Sequence, residues 1–336
     1  MAQSVHLRRS DCSTEFRGVP NAVRFSQMPN TETHRPIPSV TIIGPGRLGQ
    51  AFAIALSDLG YSISALVARR PAMAEKAASL LQAGHGRVDT LGANQLTRLA
   101  PADLILITTP DDAVEETAQK LAALENCKGR GVVVLHTSGA LSSAVLAPLS
   151  KVGFHTGSLH PLVSVSEPLT GSRALHGAYY CVEGDKVATK IARRIVNDLG
   201  GKSFSIKPET KALYHAAALT AAGHLTALID LAIEMLVSCG LSRTAAQRVL
   251  MPLVESSVAN LKISPPESAL TGTFARGDLA TVKRHLEALS EKKRSDGKNR
   301  EALEIYKLLG LRSLDLAGKK GLDPQLAKKI KRLLKS

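Results

Sequence analysis

Tryptophan is absent from the 336 residues, and aromatic side chains make up only 3% of them. Alanine and leucine must then fill the core, which favours helix-rich packing. Cysteine is equally scarce. Cys12, Cys127, Cys181 and Cys239 are scattered without C-x-x-C spacing or a nearby histidine pair, so neither a zinc site nor a disulfide framework is readable. Thiols of this kind suit a reducing compartment, and a cytoplasmic location is expected. The first 38 residues lack an apolar run of even about 7 residues, so a secretory signal is not supported. Residues 1–38 are expected to form a loose tail, or an upstream extension of a chain that naturally starts nearer Met28.

The formal net charge of +14 raises the question of nucleic acid. The excess is concentrated in residues 291–336, where 14 Lys and Arg face 6 Asp and Glu in a helical pattern. Tyr306 is the one aromatic residue there, too few to interleave for base stacking, and no nucleic-acid fold signature accompanies the charge, so a solvated helix face is expected instead. The longest apolar stretch, Ala216 to Val237, contains His224, Asp230 and Glu234. Such groups are costly at bilayer depth, so the stretch reads as a buried helix of a soluble protein rather than a membrane span.

Length allows two domains, each with its own core. From residue 40 to about 207, strand and helix patterns alternate as in parallel βαβ units. Strands are expected at 40–43, 61–68, 102–109, 131–136, 179–182 and 203–206, with helices at 50–59 and 191–199. After Pro208 only helical patterns remain, at about 208–239, 242–262, 278–289, 299–317 and 323–335. The expected architecture is α/β: a doubly wound, mainly parallel Rossmann sheet (39–207) followed by an all-helical domain for substrate binding and dimerisation (208–336).

Gly44-Pro45-Gly46-Arg47-Leu48-Gly49 fits G-x-G-x-x-G, directly after an expected strand and at the start of an expected helix. Gly44 would permit the tight turn, Gly46 the close approach of a pyrophosphate, and Gly49 the packing of helix on strand. The helix N-terminus then offers free N–H groups and a positive dipole end to the phosphates. About 20 residues on, where an NAD-binding chain places a carboxylate against the ribose, stand Arg69 and Arg70. Two guanidinium groups suit a 2′-phosphate, so NADP(H) is the expected cofactor.

Three further segments are expected at the carboxyl ends of the strands, where nicotinamide would lie. Thr108-Thr109-Pro110-Asp111 would wall the ribose or nicotinamide, and His136-Thr137-Ser138-Gly139 could offer hydroxyls and a free amide to a substrate. Ser158-Leu159-His160-Pro161 is the third, and both histidines also fit a purely structural reading. Lys211 and His215 lie four apart on the first helix after Pro208 and project from one face. Lys211 falls in that helix's first turn, where the dipole lowers a lysine pKa, and such a lysine can deliver a proton as hydride arrives. An exposed lysine and a core histidine are the competing reading.

These residues carry a resemblance. The motifs GPGRLG (44–49), HTSGAL (136–141), SLHPL (158–162), LYHAAA (213–218) and ALTGTFARGD (269–278) resemble bacterial Rossmann-like proteins whose C-terminal part is a domain of unknown function 2520. These are relatives of pyrroline-5-carboxylate reductase, ketopantoate reductase and the β-hydroxyacid dehydrogenases. The resemblance covers roughly residues 40–290. It implies a Lys-x-x-x-Asn pair on the helix after Pro208, which meets Lys211 but finds His215 in the Asn position, and it finds Thr273 where the family motif has proline. It also implies reduction of a ketopantoate-like 2-oxo acid or a cyclic imine acid.

The expected function is therefore NADP(H)-dependent reduction of a small carboxylate-bearing substrate, with Lys211, His215, Ser138, His160 and Arg276 as catalytic or carboxylate-binding residues. Arg276 draws attention because glycines bound its loop and a guanidinium fork fits a carboxylate, although Asp278 could instead hold it in a structural ion pair. A non-catalytic NADP(H) sensor or scaffold is the alternative, and a nucleic-acid-associated protein is a third that rests on the basic C-terminus alone. The apolar helix 208–239 exceeds what one small domain covers, so a homodimer is expected.

Overall fold

The computed structural model describes residues 37–81, 87–125, 131–290 and 298–336. Of the expected N-terminal tail only Ile37 and Pro38 fall within them, and Cys12 and Cys127 fall outside. Eight strands form one sheet in the order β3-β2-β1-β4-β5-β6-β7-β8. They are β1 (Ser39–Ile43), β2 (Ser62–Ala68), β3 (Asp89–Gly92), β4 (Leu104–Ile107), β5 (Val133–His136), β6 (His155–Pro161), β7 (Tyr179–Gly184) and β8 (Lys202–Phe204). All neighbours are parallel except β6 and β7. The chain order reverses beside β1, between β2 and β4, and this switch point is where a doubly wound sheet opens a crevice.

The central strands are short apolar runs because helices cover both sheet faces. β4 reads Leu-Ile-Leu-Ile with every residue buried. Its Leu104 and Leu106 join one core with Phe52, Tyr61 and Tyr180, while Ile105 and Ile107 join the other with Val114, Leu121 and Phe154. The covering helices are α1 (Arg47–Asp58), α2 (Pro71–Ala78), α3 (Val114–Ala122), α4 (Ala147–Ser150), α5 (Pro168–Leu175) and α6 (Lys186–Asp198). Asp185 shows how sequence sets a boundary: its carboxylate accepts from the N–H of Val187 and Ala188, starting α6, and from Thr156 N–H on β6.

Two strands fall outside the sequence expectation. β3 has only four residues, and β6 reads His-Thr-Gly-Ser-Leu-His-Pro, so neither shows the apolar signature of a buried strand.

Beyond β8 the chain is helical: α7 (Lys211–Ala221), α8 (Gly223–Ser238), α9 (Arg243–Ile263), α10 (Pro266–Ala269), α11 (Thr273–Arg276), α12 (Leu279–Ser290), α13 (Lys298–Lys319) and α14 (Pro324–Lys335). Val282, Leu314, Ile330 and Leu334 form the core of α12–α14. Two expectations need correction. The helix expected over 208–239 is not continuous: residues 208–210 form a 3-10 turn, and the α-helix breaks at Ala222 (φ −117°, ψ −67°), before the weak helix former Gly223. Nor is this stretch buried within one chain. Pro208–Ser238 is long and apolar enough to cross a membrane by length and composition, yet only 6% of its most apolar window is buried. Ile233 is buried, but Leu213, Leu219, Leu225, Leu228 and Val237 of this stretch are exposed among the described residues, as are Leu253 and Ile263 of α9 at 63% and 83%.

Candidate active site

The glycine turn between β1 and α1 has the shape that its three glycines require. Gly44 sits at φ +88° and donates its N–H to the Val67 carbonyl at 2.8 Å; a Cβ there would stand 2.8 Å from the Thr109 nitrogen. A Cβ on Gly49 would lie 2.9 Å from the Gly44 carbonyl oxygen. Thr108 clamps that same carbonyl with its hydroxyl at 2.7 Å, and Gln50 Nε2 holds the Pro45 carbonyl at 2.8 Å. Gly46 differs, since a Cβ on it would meet nothing nearer than 3.9 Å. The space before it faces the leading N–H groups of α1, among them those of Arg47 and Leu48, which have no acidic residue in their turn. This is a cradle that a pyrophosphate fits.

At the end of β2, the exposed Arg69 and Arg70 line a cleft with Pro71, Asn94, Gln95 and Lys120. Among the described residues lining it there is no carboxylate, although Glu116 pairs with Lys120 at 2.6 Å from within α3. Lys120, Asn94 and Gln95 could not have been found by spacing, because the turn and helix that carry them come from separate stretches of chain.

The second centre lies at the carboxyl ends of β5 and β6. Lys211, the first residue of α7, is 1% exposed; its Nζ donates to Ser158 Oγ at 2.8 Å and to the Ser138 carbonyl at 3.2 Å. Burial is the main cause holding its pKa below the ordinary lysine value, with Cys181, Glu183 and Asp111 pulling weakly the other way. Ser158 and His160 share one face of β6, two residues apart, while Tyr214 and His215 follow Lys211 on α7 by three and four. His160 Nδ1 is 2.6 Å from the Tyr214 hydroxyl, and its ring meets His215 edge-on at 5.8 Å. Gly139 fits between them because a Cβ there would lie 2.7 Å from His160 Nε2.

His136 is fully buried and its Nδ1 accepts the Ser138 N–H at 3.2 Å. Burial, then the Lys211 charge, pushes its pKa down to about 3, and the same two causes with His215 push His160 down to about 4. The Ser138 hydroxyl oxygen accepts from Ala140 N–H and Leu141 N–H, so it shapes the turn and leaves only its proton for a ligand. Thr137, also buried, is tied through its N–H to the Ile107 carbonyl at 3.1 Å. Glu183, nearly buried on β7, fixes the same loop by accepting from Ser143 N–H and Oγ.

Ser158 and Tyr214 were legible as neighbours of the named residues: recognising β6 as a strand puts Ser158 on the face of His160. Glu183 carries no such signal.

Among the described residues, Arg276 is not brought to this centre by any hydrogen bond or ion pair. It is exposed at the end of α11. The glycine beside it answers to packing rather than to a ligand: Gly277 is left-handed at φ +68°, and a Cβ would stand 2.6 Å from Leu326 Cδ2. Asp278 accepts from Thr281 N–H and Oγ1 and caps α12.

A family model for a Rossmann-like domain matches residues 26–161, and one for a domain of unknown function 2520 matches residues 178–313. Among solved structures, a protein from Thermotoga maritima is 23% identical with a TM-score of 0.62, covering 84% of this chain and 99% of its own. A protein from Bacteroides fragilis, named as a candidate NADP oxidoreductase, is 20% identical with a TM-score of 0.66 (83% and 98% covered). The 1-pyrroline-5-carboxylate reductase of Streptococcus pyogenes is 15% identical with a TM-score of 0.53 (88% and 98% covered). At these identities the likeness is one of fold. No curated protein matches the sequence.

Proposed function

Given that the chain is a Rossmann-like protein with a C-terminal domain of unknown function 2520, we propose that it is an NADP(H)-dependent oxidoreductase that reduces a small 2-oxo acid or cyclic imine acid. The observation that carries this reading is Lys211: a buried amine with a lowered pKa, set at the strand ends of a dinucleotide fold and hydrogen-bonded to two serines.

Gly44, Gly46 and Gly49 would hold the pyrophosphate, and Arg69, Arg70 and Lys120 the 2′-phosphate. Bound NADPH supplies a hydride. Lys211 Nζ holds the proton that the substrate's carbonyl oxygen or imine nitrogen takes up, and its lowered pKa makes that proton easier to release. Ser158 and the Ser138 carbonyl fix the direction in which the amine points. The Pro208–Ser238 helices and α9 leave an apolar surface that a second copy of the chain would cover, which supports a homodimer as the active form.

The test is a Lys211→Ala protein assayed for NADPH binding and for NADPH oxidation against 2-oxo acids and imine acids. Retained binding with lost turnover is expected. Turnover equal to that of the unaltered protein removes Lys211 from the reaction, and binding without turnover in both proteins leaves an NADP(H) sensor.

A further inference from the structure

We propose that Tyr214 holds His160 in the tautomer that carries its proton on Nε2, so that His160 is a fixed hydrogen-bond donor to the oxygen of a bound carbonyl compound. Tyr214 is then a positioning residue. The ligand part rests on the oxidoreductase reading above; the tautomer does not.

The pair meets at 2.6 Å between His160 Nδ1 and the Tyr214 hydroxyl. One of the two must donate. If the tyrosine donates, Nδ1 accepts and the neutral ring carries its proton on Nε2. If Nδ1 donates instead, the phenolic proton needs another acceptor, and among the described residues the Tyr214 hydroxyl has no second hydrogen-bond partner. A phenol O–H is the stronger donor and a neutral imidazole nitrogen the stronger acceptor, so the tyrosine donates, and the one proton left over sits on Nε2, where a ligand can accept it. Burial also keeps the phenol protonated, by raising its pKa. The ring is pinned in place: Tyr214 meets it edge-on at 5.5 Å and itself meets Phe204 at 5.9 Å, while His215 stands edge-on at 5.8 Å.

The charged and titratable groups around His160 are Lys211 and His215 on α7, Tyr214 on the same helix, His136 on β5, and the Cys181 thiol, which pairs with His160 from β7 and whose pKa burial raises. None is a carboxylate, so nothing favours an imidazolium. Nε2 lies against Gly139, where a Cβ would come within 2.7 Å, and it has no hydrogen-bond partner among the described residues. A neutral N–H beside the Lys211 amine can stabilise a carbonyl oxygen as negative charge develops on it, without exchanging a proton itself. Lys211 and His160 thereby divide the work between proton delivery and charge stabilisation.

The test is nitrogen NMR of the full chain carrying 15N-histidine, with His160 assigned from a His160→Gln variant. An Nε2–H neutral tautomer that persists through the neutral pH range is expected. In Tyr214→Phe that resonance should move toward a tautomer mixture, and kcat should fall by about 10-fold as the donor loses its fixed direction. An Nδ1–H signal in the unaltered protein overturns the proposal even if Tyr214→Phe fails to fold, and so does an unchanged tautomer in a folded Tyr214→Phe. An Nε2–H signal that responds to the variant in a protein without NADPH-dependent turnover supports the Tyr214 assignment and overturns the oxidoreductase reading instead.

Discussion

Lys211 Nζ and Ser158 Oγ meet at 2.8 Å, joining the first turn of α7 to the end of β6. The lysine is 1% exposed, so its charged form is disfavoured by lost hydration. Between its lowered folded value and the ordinary 10.5, the unfolded chain binds a proton that the folded chain does not, so stability rises with pH across that window. Lys211→Met should lose this alkaline gain, measured as urea unfolding at several pH values, and should lower kcat by at least about 100-fold. A Lys211→Met protein whose stability follows pH as the parent's does would mean that the amine titrates normally.

The acid side is governed by His136 and His160. Both have folded values well below 6.5, at about 3 and about 4, so on acidification the unfolded chain takes up protons first and stability falls from pH 6.5 downward, levelling only below the folded values. Each histidine should cost about 2 kcal/mol between about pH 7 and about pH 5. Replacing the buried His136 with Asn should flatten that loss by half. Equal acid sensitivity in the variant and the parent would show that His136 is not neutral because of burial.

The three glycines of the cradle separate binding from folding. Gly46→Ala meets no neighbour within 3.9 Å, so it should leave the melting temperature unchanged while weakening NADPH binding, because the Cβ occupies space that the pyrophosphate needs. Gly49→Ala should destabilise the fold itself, since its Cβ comes 2.9 Å from the Gly44 carbonyl oxygen. Calorimetry and a fluorescence titration with NADPH distinguish them. Unimpaired NADPH binding in Gly46→Ala would show that the phosphates do not lie there.

Much of this arrangement was legible in the sequence because it rests on local rules. The G-x-G-x-x-G turn, the all-apolar β4 and the spacing of Lys211 and His215 are short-range patterns with direct geometric meaning. What escaped depends on distant chain. β6 carries Ser158 and His160, whose side chains meet Lys211 and Tyr214 rather than the apolar core, so its polar residues hid it as a strand. The Pro208–Ser238 stretch was legible in part: it reads as a buried helix, yet it also exceeds what one small domain covers, and an apolar pattern alone does not say how much of it the same chain buries. Gly277 seemed to make room for a ligand, whereas Leu326 of α14 and Leu322 in the loop before it account for it.

Arg276 remains a candidate carboxylate anchor, and the structure makes its two readings separable. As a structural residue it would need a partner, yet Asp278 spends its carboxylate on Thr281, with Arg276 the least of the charges and hydrogen bonds acting on it. Arg276→Ala should therefore leave the melting temperature unchanged, as expected for an exposed side chain outside the core. Asp278→Ala should lower the melting temperature through the lost helix cap. If Arg276 binds the substrate's carboxylate, Arg276→Ala should weaken kcat/KM by roughly 2–4 kcal/mol with NADPH affinity preserved, the penalty for removing one partner of a desolvated charged pair. Within one chain no hydrogen bond or ion pair ties Arg276 to Lys211, so such a loss would further require that the substrate bridge them or that a second copy bring Arg276 to the site. Mixing Lys211→Ala and Arg276→Ala chains decides between these: recovered activity places the two residues of one site on different copies, and no recovery places them on the same chain.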